Sequence, residues 1–112
     1  MKFNRFLLIL LCFSLILCVC ACQTSSSVEN KKIAVIVKAV DSDFWHNVEN
    51  GVNSAAVEYN VSVTFSGPLN EEDYKTQNDM IYGAIRDGVD AIVLSAISYT
   101  ENSDAVNEAV KN

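Results

Sequence analysis

The sequence contains little glycine, a single proline and a single histidine, and this scarcity excludes several classes of function. None of its four glycines lies in the turn from Lys38 to Asp43, which follows the first predicted strand. A dinucleotide site needs the pattern GxGxxG in this turn, and a P-loop needs a glycine-rich loop of its own. Asp41 and Asp43 would also repel a phosphate group. We therefore expect no nucleotide and no other cofactor.

Groups for covalent or acid–base catalysis are equally scarce. The nucleophile elbow GxSxG is absent, and His46 is the only histidine that could act as a general base. His46 lies two residues from Phe44, an apolar position of a predicted helix, so we place it on the solvent face. Ser95 stands where a receiver domain carries its phospho-accepting aspartate, and it has no histidine partner nearby in sequence. The chain is therefore not expected to be an enzyme.

Cysteine is missing from the whole chain after Cys22, which excludes a disulfide framework or a cysteine-ligated metal site there. All four cysteines lie in the apolar run Phe6–Cys22, which follows the basic residues Lys2 and Arg5. A basic segment followed by such a run is typical of a secretory signal peptide. An uncleaved membrane anchor is the alternative, because the run is close to the shortest length that spans a bilayer.

The apolar run ends in Val19–Cys22, which resembles a bacterial lipobox: an aliphatic residue, a small residue, alanine and the cysteine that receives lipid. The resemblance implies that residues 1–21 are a lipoprotein signal peptide and that Cys22 becomes a lipidated N-terminus. Two or more acyl chains hold a protein firmly to a membrane. Residues 22–32 would then form a polar tether, which carries three serines and no apolar cluster.

Negative charge dominates the chain, whose formal net charge at pH 7 is −6. The excess is larger after Ala21, because two of the basic residues precede it. Nucleic-acid binding requires a basic surface, and anionic lipid attracts polybasic segments. We therefore expect no nucleic-acid partner and no peripheral binding to anionic lipid. The charge suits a domain that a tether holds away from a membrane.

Apolar runs alternate with helical patterns through the rest of the chain, in the order β-α-β-α-β-α. Continuous apolar runs are typical of strands that helices cover on both faces, and the alternation predicts a parallel α/β sheet in a three-layer lobe. Three strands make a thin sheet, so we expect an incomplete lobe of a longer protein. The predicted strands are Ile33–Val37, Val61–Phe65 and Ala91–Leu94, with helices over about 44–59, up to about Arg86, and from about Ser103.

The candidate ligand site follows the first strand, because open parallel sheets bind ligands beyond the carboxyl ends of their strands. Asp41, Ser42 and Asp43 are followed there by the aromatic pair Phe44 and Trp45. Sugar rings pack their C–H faces on aromatic rings, and their hydroxyl groups bond to carboxylates and hydroxyls. This mixture of side chains therefore suits a sugar-like ligand.

Each of these residues also has a structural interpretation. Phe44 belongs to an apolar stripe with Val48 and Val52, which predicts that it packs in the core. Trp45 lies beside the stripe and is predicted to contact the ligand, so Trp45→Ala should weaken binding and leave the fold intact. At least one of the three polar residues before the aromatic pair is expected to cap the helix.

Residues 33–111 resemble the first lobe of the type I periplasmic sugar-binding proteins, the ribose- and galactose-binding receptors of ABC transporters. The resemblance rests on IAVIVKAVDSDFWHNVENGVNSAA, VSVTFSGP and DGVDAIVLSAIS, in this order. In that family strand one is followed by Asn-Pro-aromatic-aromatic, and the polar residue and the aromatics contact the sugar. Ser42 and Asp43 take the Asn and Pro places here, and Phe44 and Trp45 take the aromatic places.

The same resemblance implies a non-enzymatic, sugar-binding lipoprotein of an ABC import system, anchored outside the cytoplasm to the bacterial cell membrane by Cys22. Ser95 would begin its other ligand loop. The family clamps its ligand between two lobes and presents it to a membrane permease. Residues 33–112 would be a partial N-terminal lobe of such a periplasmic binding domain. The alternative is the ligand-sensing extracytoplasmic domain of a membrane signalling receptor, which an uncleaved first segment would favour.

Overall fold

A computed structural model describes residues 30–112, so the predicted signal peptide, Cys22 and most of the predicted tether lie outside the described residues. The described part alternates three strands with three helices, which confirms the predicted α/β class. Every strand boundary lies within one residue of its predicted place. The elements are β1 (Lys32–Ile36), α1 (Asp43–Tyr59), β2 (Ser62–Ser66), α2 (Tyr74–Arg86), β3 (Ala91–Leu94) and α3 (Ser103–Lys111).

The three strands form one parallel sheet in the order β2-β1-β3. Ile33 of β1 is paired in register with Val63 of β2 and with Ala91 of β3. The apolar run of β1 is therefore the central strand, and the more alternating β2 is an edge strand. Within residues 30–112, no helix combines the length and apolarity needed to cross a bilayer.

Alternate residues of β1 point into two separate cores. Ala34 and Ile36 pack on one face with buried side chains of α2 and α3, and Val35 and Val37 pack on the other face under α1. Fully burying an aliphatic side chain of this kind is worth roughly 1.5–3 kcal/mol, so β1 is the centre of a three-layer arrangement. The buried partners are Ile81, Ala84 and Ala105 on the first face, and Ala39 and Trp45 on the second.

One part of the sheet has no helix over it among the described residues. Val93 of β3 lies beside Val35 in register and faces the same side as α1, yet it is 56% exposed. Helix α1 packs against β1 and β2, which leaves an apolar groove of about 460 Å³ between α1 and β3. The groove agrees with the expectation of an incomplete sheet.

The ends of the first two helices follow the capping residues of the sequence. Asn60 ends α1 in the left-handed conformation, with φ of 51°, and Gly88 follows α2 with φ of 64°, a conformation that both residue types tolerate. Asp73 begins α2: its carboxylate accepts hydrogen bonds from the backbone N–H of Thr76 at 3.0 Å and from the Thr76 hydroxyl at 2.6 Å. These bonds hold the pKa of Asp73 below its usual value.

Asp90 joins the start of β3 to the start of β1. Its carboxylate accepts hydrogen bonds from Lys31 Nζ and from the backbone N–H of Lys32, and its own N–H donates to the carbonyl of Lys32 at 2.8 Å. The bond from Lys31 and then the bond from Lys32 lower the pKa of Asp90. The ionised carboxylate therefore stabilises the pairing of the two strands.

Asp90 should make the stability of the lobe depend on acid pH. Because the pKa of Asp90 is lower in the folded state, its contribution is complete above the unfolded value of about 3.9. The contribution is lost as pH falls through the folded pKa. Asp90→Asn should therefore be less stable than the wild type at neutral pH, and the difference should shrink in acid. Urea denaturation followed by circular dichroism measures it, and a difference independent of pH would contradict the assignment.

Candidate functional site

The loops after the three strands meet at the carboxyl edge of the sheet. The backbone N–H of Val40, in the loop after β1, donates to the carbonyl of Pro68 in the loop after β2 at 3.1 Å. Gly67 lies so close to β1 that a Cβ atom there would stand 2.9 Å from the Val37 carbonyl oxygen. Glycine is required at this position because only a residue without a Cβ allows the two backbones to approach this closely.

Ser42 is the residue that caps α1, as predicted for one of the three polar residues. Its backbone is extended, its Oγ accepts a hydrogen bond from the Trp45 N–H at 3.3 Å, and its carbonyl accepts one from the His46 N–H at 3.0 Å. Asp41 and Asp43 are exposed on either side of it. Negative charge beside the N-terminus of a helix is favourable, so acidic residues suit this position.

The burial of the two aromatic rings is the reverse of what the apolar stripe predicted. Trp45 is buried, with 9% exposure, against Val35 and Val37, whereas Phe44 is 65% exposed. The prediction that Phe44 packs in the core was therefore wrong. Because Trp45 is buried instead, we expect its loss to destabilise the fold. Trp45 belongs to the core under α1.

The loop after β2 explains why Trp45, rather than Phe44, is buried. Val48 is four residues after Phe44 and three after Trp45, so helical spacing allows either ring to face the core. The indole Nε1–H of Trp45 donates to Glu71 Oε1 at 3.3 Å, and a buried indole N–H needs such an acceptor. Nothing in the sequence pairs Glu71 with a residue 26 positions earlier, so this bond is visible only in the structure.

The exposed ring of Phe44 contacts the buried ring of Trp45. The centroids of Phe44 and Trp45 are 4.9 Å apart and their planes meet at 80°, which is an edge-to-face contact. Such aromatic pairs are worth about 0.5–1.5 kcal/mol beyond the area they bury. The Phe44 ring is therefore a supported apolar surface next to the exposed carboxylates of Asp41 and Asp43.

Ser95 lies next to the end of β1, as expected for the first residue of the other loop. Its backbone N–H donates to the Ile36 carbonyl at 2.9 Å, and the residue is half-buried. Tyr99 stands at the tip of the same loop with 97% of its side chain exposed. The structure thus brings Ser95 next to Ile36, the last residue of the strand that precedes the aromatic pair, although the two residues are 59 positions apart in the chain.

Among the described residues, this edge of the sheet offers few groups suited to catalysis or metal binding. The side chain of His46 is 63% exposed and its Nδ1 lies 4.0 Å from Glu49 Oε2, so its predicted place on the solvent face is confirmed. Within residues 30–112, no group of three or more potential metal ligands comes together. The available groups are an aromatic face, carboxylates and hydroxyls, which suit non-covalent binding of a polyhydroxylated molecule.

Comparison with known proteins identifies the fold and the family. Residues 33–112 match the family model described as "Periplasmic binding protein domain". A sugar transporter from Clostridium phytofermentans is 38% identical, with a TM-score of 0.68, over 70% of this chain and 30% of that one. No match is found among curated proteins.

Two further solved structures are similar and contain sugars. A carbohydrate transporter solute binding protein from Agrobacterium radiobacter, in complex with D-arabinose, is 29% identical, with a TM-score of 0.72, over 76% of this chain and 29% of that one. An ABC transporter solute binding protein from Agrobacterium vitis with bound D-fucose is 38% identical, with a TM-score of 0.66, over 71% and 28%. This chain thus spans about 30% of the length of the structures it matches. It belongs to the periplasmic binding protein domain family, whose fold residues 33–112 adopt.

Proposed function

We propose that this chain contributes the first lobe of a sugar-binding receptor of an ABC import system. The observation that carries the proposal is the exposed, supported ring of Phe44 beside Asp41, Ser42 and Asp43 at the carboxyl edge of the sheet. At 65% exposure, most of the Phe44 ring is available to pack against a ligand. The sugars bound by two similar structures indicate the class of that partner.

The proposed mechanism is binding without chemistry. The Phe44 ring packs on the C–H face of a sugar, while Asp41, Asp43 and the Ser42 hydroxyl accept hydrogen bonds from sugar hydroxyls. Ser95 reaches the ligand from the loop after β3. A second lobe closes over this edge by hinge motion and removes water. Each polar group left unpaired in the closed cleft costs about 1–3 kcal/mol, so hydrogen bonds select among sugars. No bond is broken, and the receptor is not an enzyme.

We also propose where this receptor is located in the cell. Membership of the family implies an extracytoplasmic location. We assign residues 1–21 to a lipoprotein signal peptide, Cys22 to the lipidated N-terminus, residues 22–32 to a tether and residues 33–112 to a partial N-terminal lobe. The lipid would hold the receptor at the membrane, where its partner is an ABC permease.

Calorimetric titration of the two-lobe receptor tests the function. D-Arabinose and D-fucose are the first probes, because two similar structures contain them, and other pentoses and hexoses follow. We expect saturable binding of at least one of them. Absence of binding by any pentose or hexose would reject a sugar receptor.

Mass spectrometry of the membrane fraction tests the anchor separately. A diacylated N-terminus at Cys22 is expected for the transport receptor. An intact N-terminus at Met1 would instead support the ligand-sensing domain of a membrane signalling receptor, because such a domain keeps its first segment as an anchor.

A further inference from the structure

We propose that Gln77 of α2 is a positioning residue that holds the two candidate ligand loops at one separation without touching the ligand. Gln77 has no exposed surface, although glutamine is mostly found at protein surfaces. The inference deepens the proposed function and rests on it, since it concerns how the same site is kept in shape.

The side-chain amide of Gln77 forms hydrogen bonds to the backbone just beyond the ends of β1 and β3. Its Nε2 donates to the carbonyl of Val37 at 2.9 Å and to the carbonyl of Ser95 at 3.0 Å. Its Oε1 accepts from the backbone N–H of Ile97 at 2.9 Å. A glutamine amide has two N–H donors, so both are used, one on each loop.

These bonds stand where the sheet ends. The pairing of β1 with β3 runs to Ile36 and Leu94 and continues with the bond from the Ser95 N–H to the Ile36 carbonyl. Beyond this bond, the loop after β1 leads to the aromatic pair and the loop after β3 leads to Tyr99. The Gln77 side chain joins these two loops just beyond the last backbone hydrogen bond between β1 and β3. The starting points of both loops are therefore held together from beneath.

The neighbouring residue continues the same support along the loop after β3. Asn78 Nδ2 donates to the Glu101 carbonyl at 2.8 Å, and its Oδ1 accepts from Asn102 Nδ2 at 2.6 Å. Asn102 is buried, and its Oδ1 accepts from the Ser98 N–H at 2.8 Å. Buried polar groups that are all paired hold a unique arrangement. The loop is thus fastened to α2 at its start and at its end.

A fixed loop improves binding because the ligand does not have to order it. Gln77→Met keeps a side chain of similar length but removes both donors and the oxygen acceptor. In the two-lobe receptor we expect it to lower the affinity for the sugar that binds the wild type by roughly tenfold or more. The mutated side chain lies under the loops, so this loss would come from their displacement.

Ile81→Ala is the matched control. Ile81 lies one turn further along α2, is as buried as Gln77, and packs on the core of β1 rather than on the loops. It should lower the melting temperature and leave sugar affinity close to that of the wild type. An equal loss of affinity in both variants, at equal loss of stability, would overturn the proposal, because Gln77 would then act only through stability.

Hydrogen exchange tests the inference without a ligand. In Gln77→Met the amide of Ile97 should exchange on the order of ten times faster, or more, than the change in global stability accounts for. In Ile81→Ala its exchange should follow global stability alone. Exchange of Ile97 at the wild-type rate in Gln77→Met would overturn the inference. If no sugar binds the wild type, the proposed function fails, and this measurement still decides the role of Gln77.

Asn78→Ala provides a second variant if Gln77→Met does not fold, because Asn78 is only partly buried. The expected result is faster exchange of the Ser98 amide, whose acceptor Asn102 loses its support, with a smaller change in melting temperature. Unchanged exchange at Ser98 would count against the support of the loop by α2.

Discussion

Trp45→Ala should destabilise the lobe by about 3–5 kcal/mol, the usual cost of removing a large aromatic ring from a core. Trp45 is 9% exposed and packs in one core cluster with Val35 of the central strand and Val37, which directly follows that strand. The mutation also removes the donor to Glu71, which links α1 to the loop after β2. Urea denaturation followed by far-UV circular dichroism measures the loss.

Trp45→Phe separates the two contributions in the same experiment. It keeps an aromatic ring under α1 and removes the indole N–H, so it should cost clearly less than Trp45→Ala. Unchanged stability of Trp45→Ala, together with loss of sugar binding, would contradict the burial of this ring. It would restore the interpretation that helical spacing alone had indicated.

Phe44→Ala should have the opposite effect, with a large loss of sugar affinity and little change in stability. The ring is 65% exposed in the lobe, and the proposed function has a sugar pack on it. Burying such a ring is worth about 1.5–3 kcal/mol, so the affinity should fall about 10- to 100-fold. Calorimetric titration of the two-lobe receptor measures the loss.

Val57→Ala is the control for Phe44→Ala. Val57 lies on the same helix near its other end and is 83% exposed, far from the carboxyl edge of the sheet. Its replacement should change neither affinity nor stability by more than about 0.5 kcal/mol, as is usual at exposed positions. Equal affinity of Phe44→Ala and wild type would remove the argument for sugar stacking.

Most of the fold was predictable because its signals are local. The apolar run of β1 indicated a central strand, and the left-handed Asn60 and Gly88 follow from residue types that tolerate positive φ. Helix α1 begins one residue earlier than predicted, since Ser42 is its cap. Strand, cap and turn signals each depend on a few neighbouring residues, and all of them agreed with one architecture.

The candidate site was predictable only in outline. The rule that ligands bind beyond the carboxyl ends of parallel strands indicated the turn at Asp41–Trp45. The family resemblance implied the loop at Ser95. The rule could not say which of two adjacent rings faces the ligand, because Val48 is at helical spacing from both. The structure assigns burial to Trp45 and exposure to Phe44.

The sequence by itself determined the class of the fold, the order of its elements, the turn that carries the candidate site and the family of the chain. Those properties follow from hydrophobic period, capping residues and short motifs, which act over a few residues. Only the tertiary structure decided the partners of Trp45 and Gln77, since Glu71 and Ser95 lie 26 and 18 positions further along the chain. Hydrogen bonds across such distances depend on how the elements pack, and no local pattern contains that information.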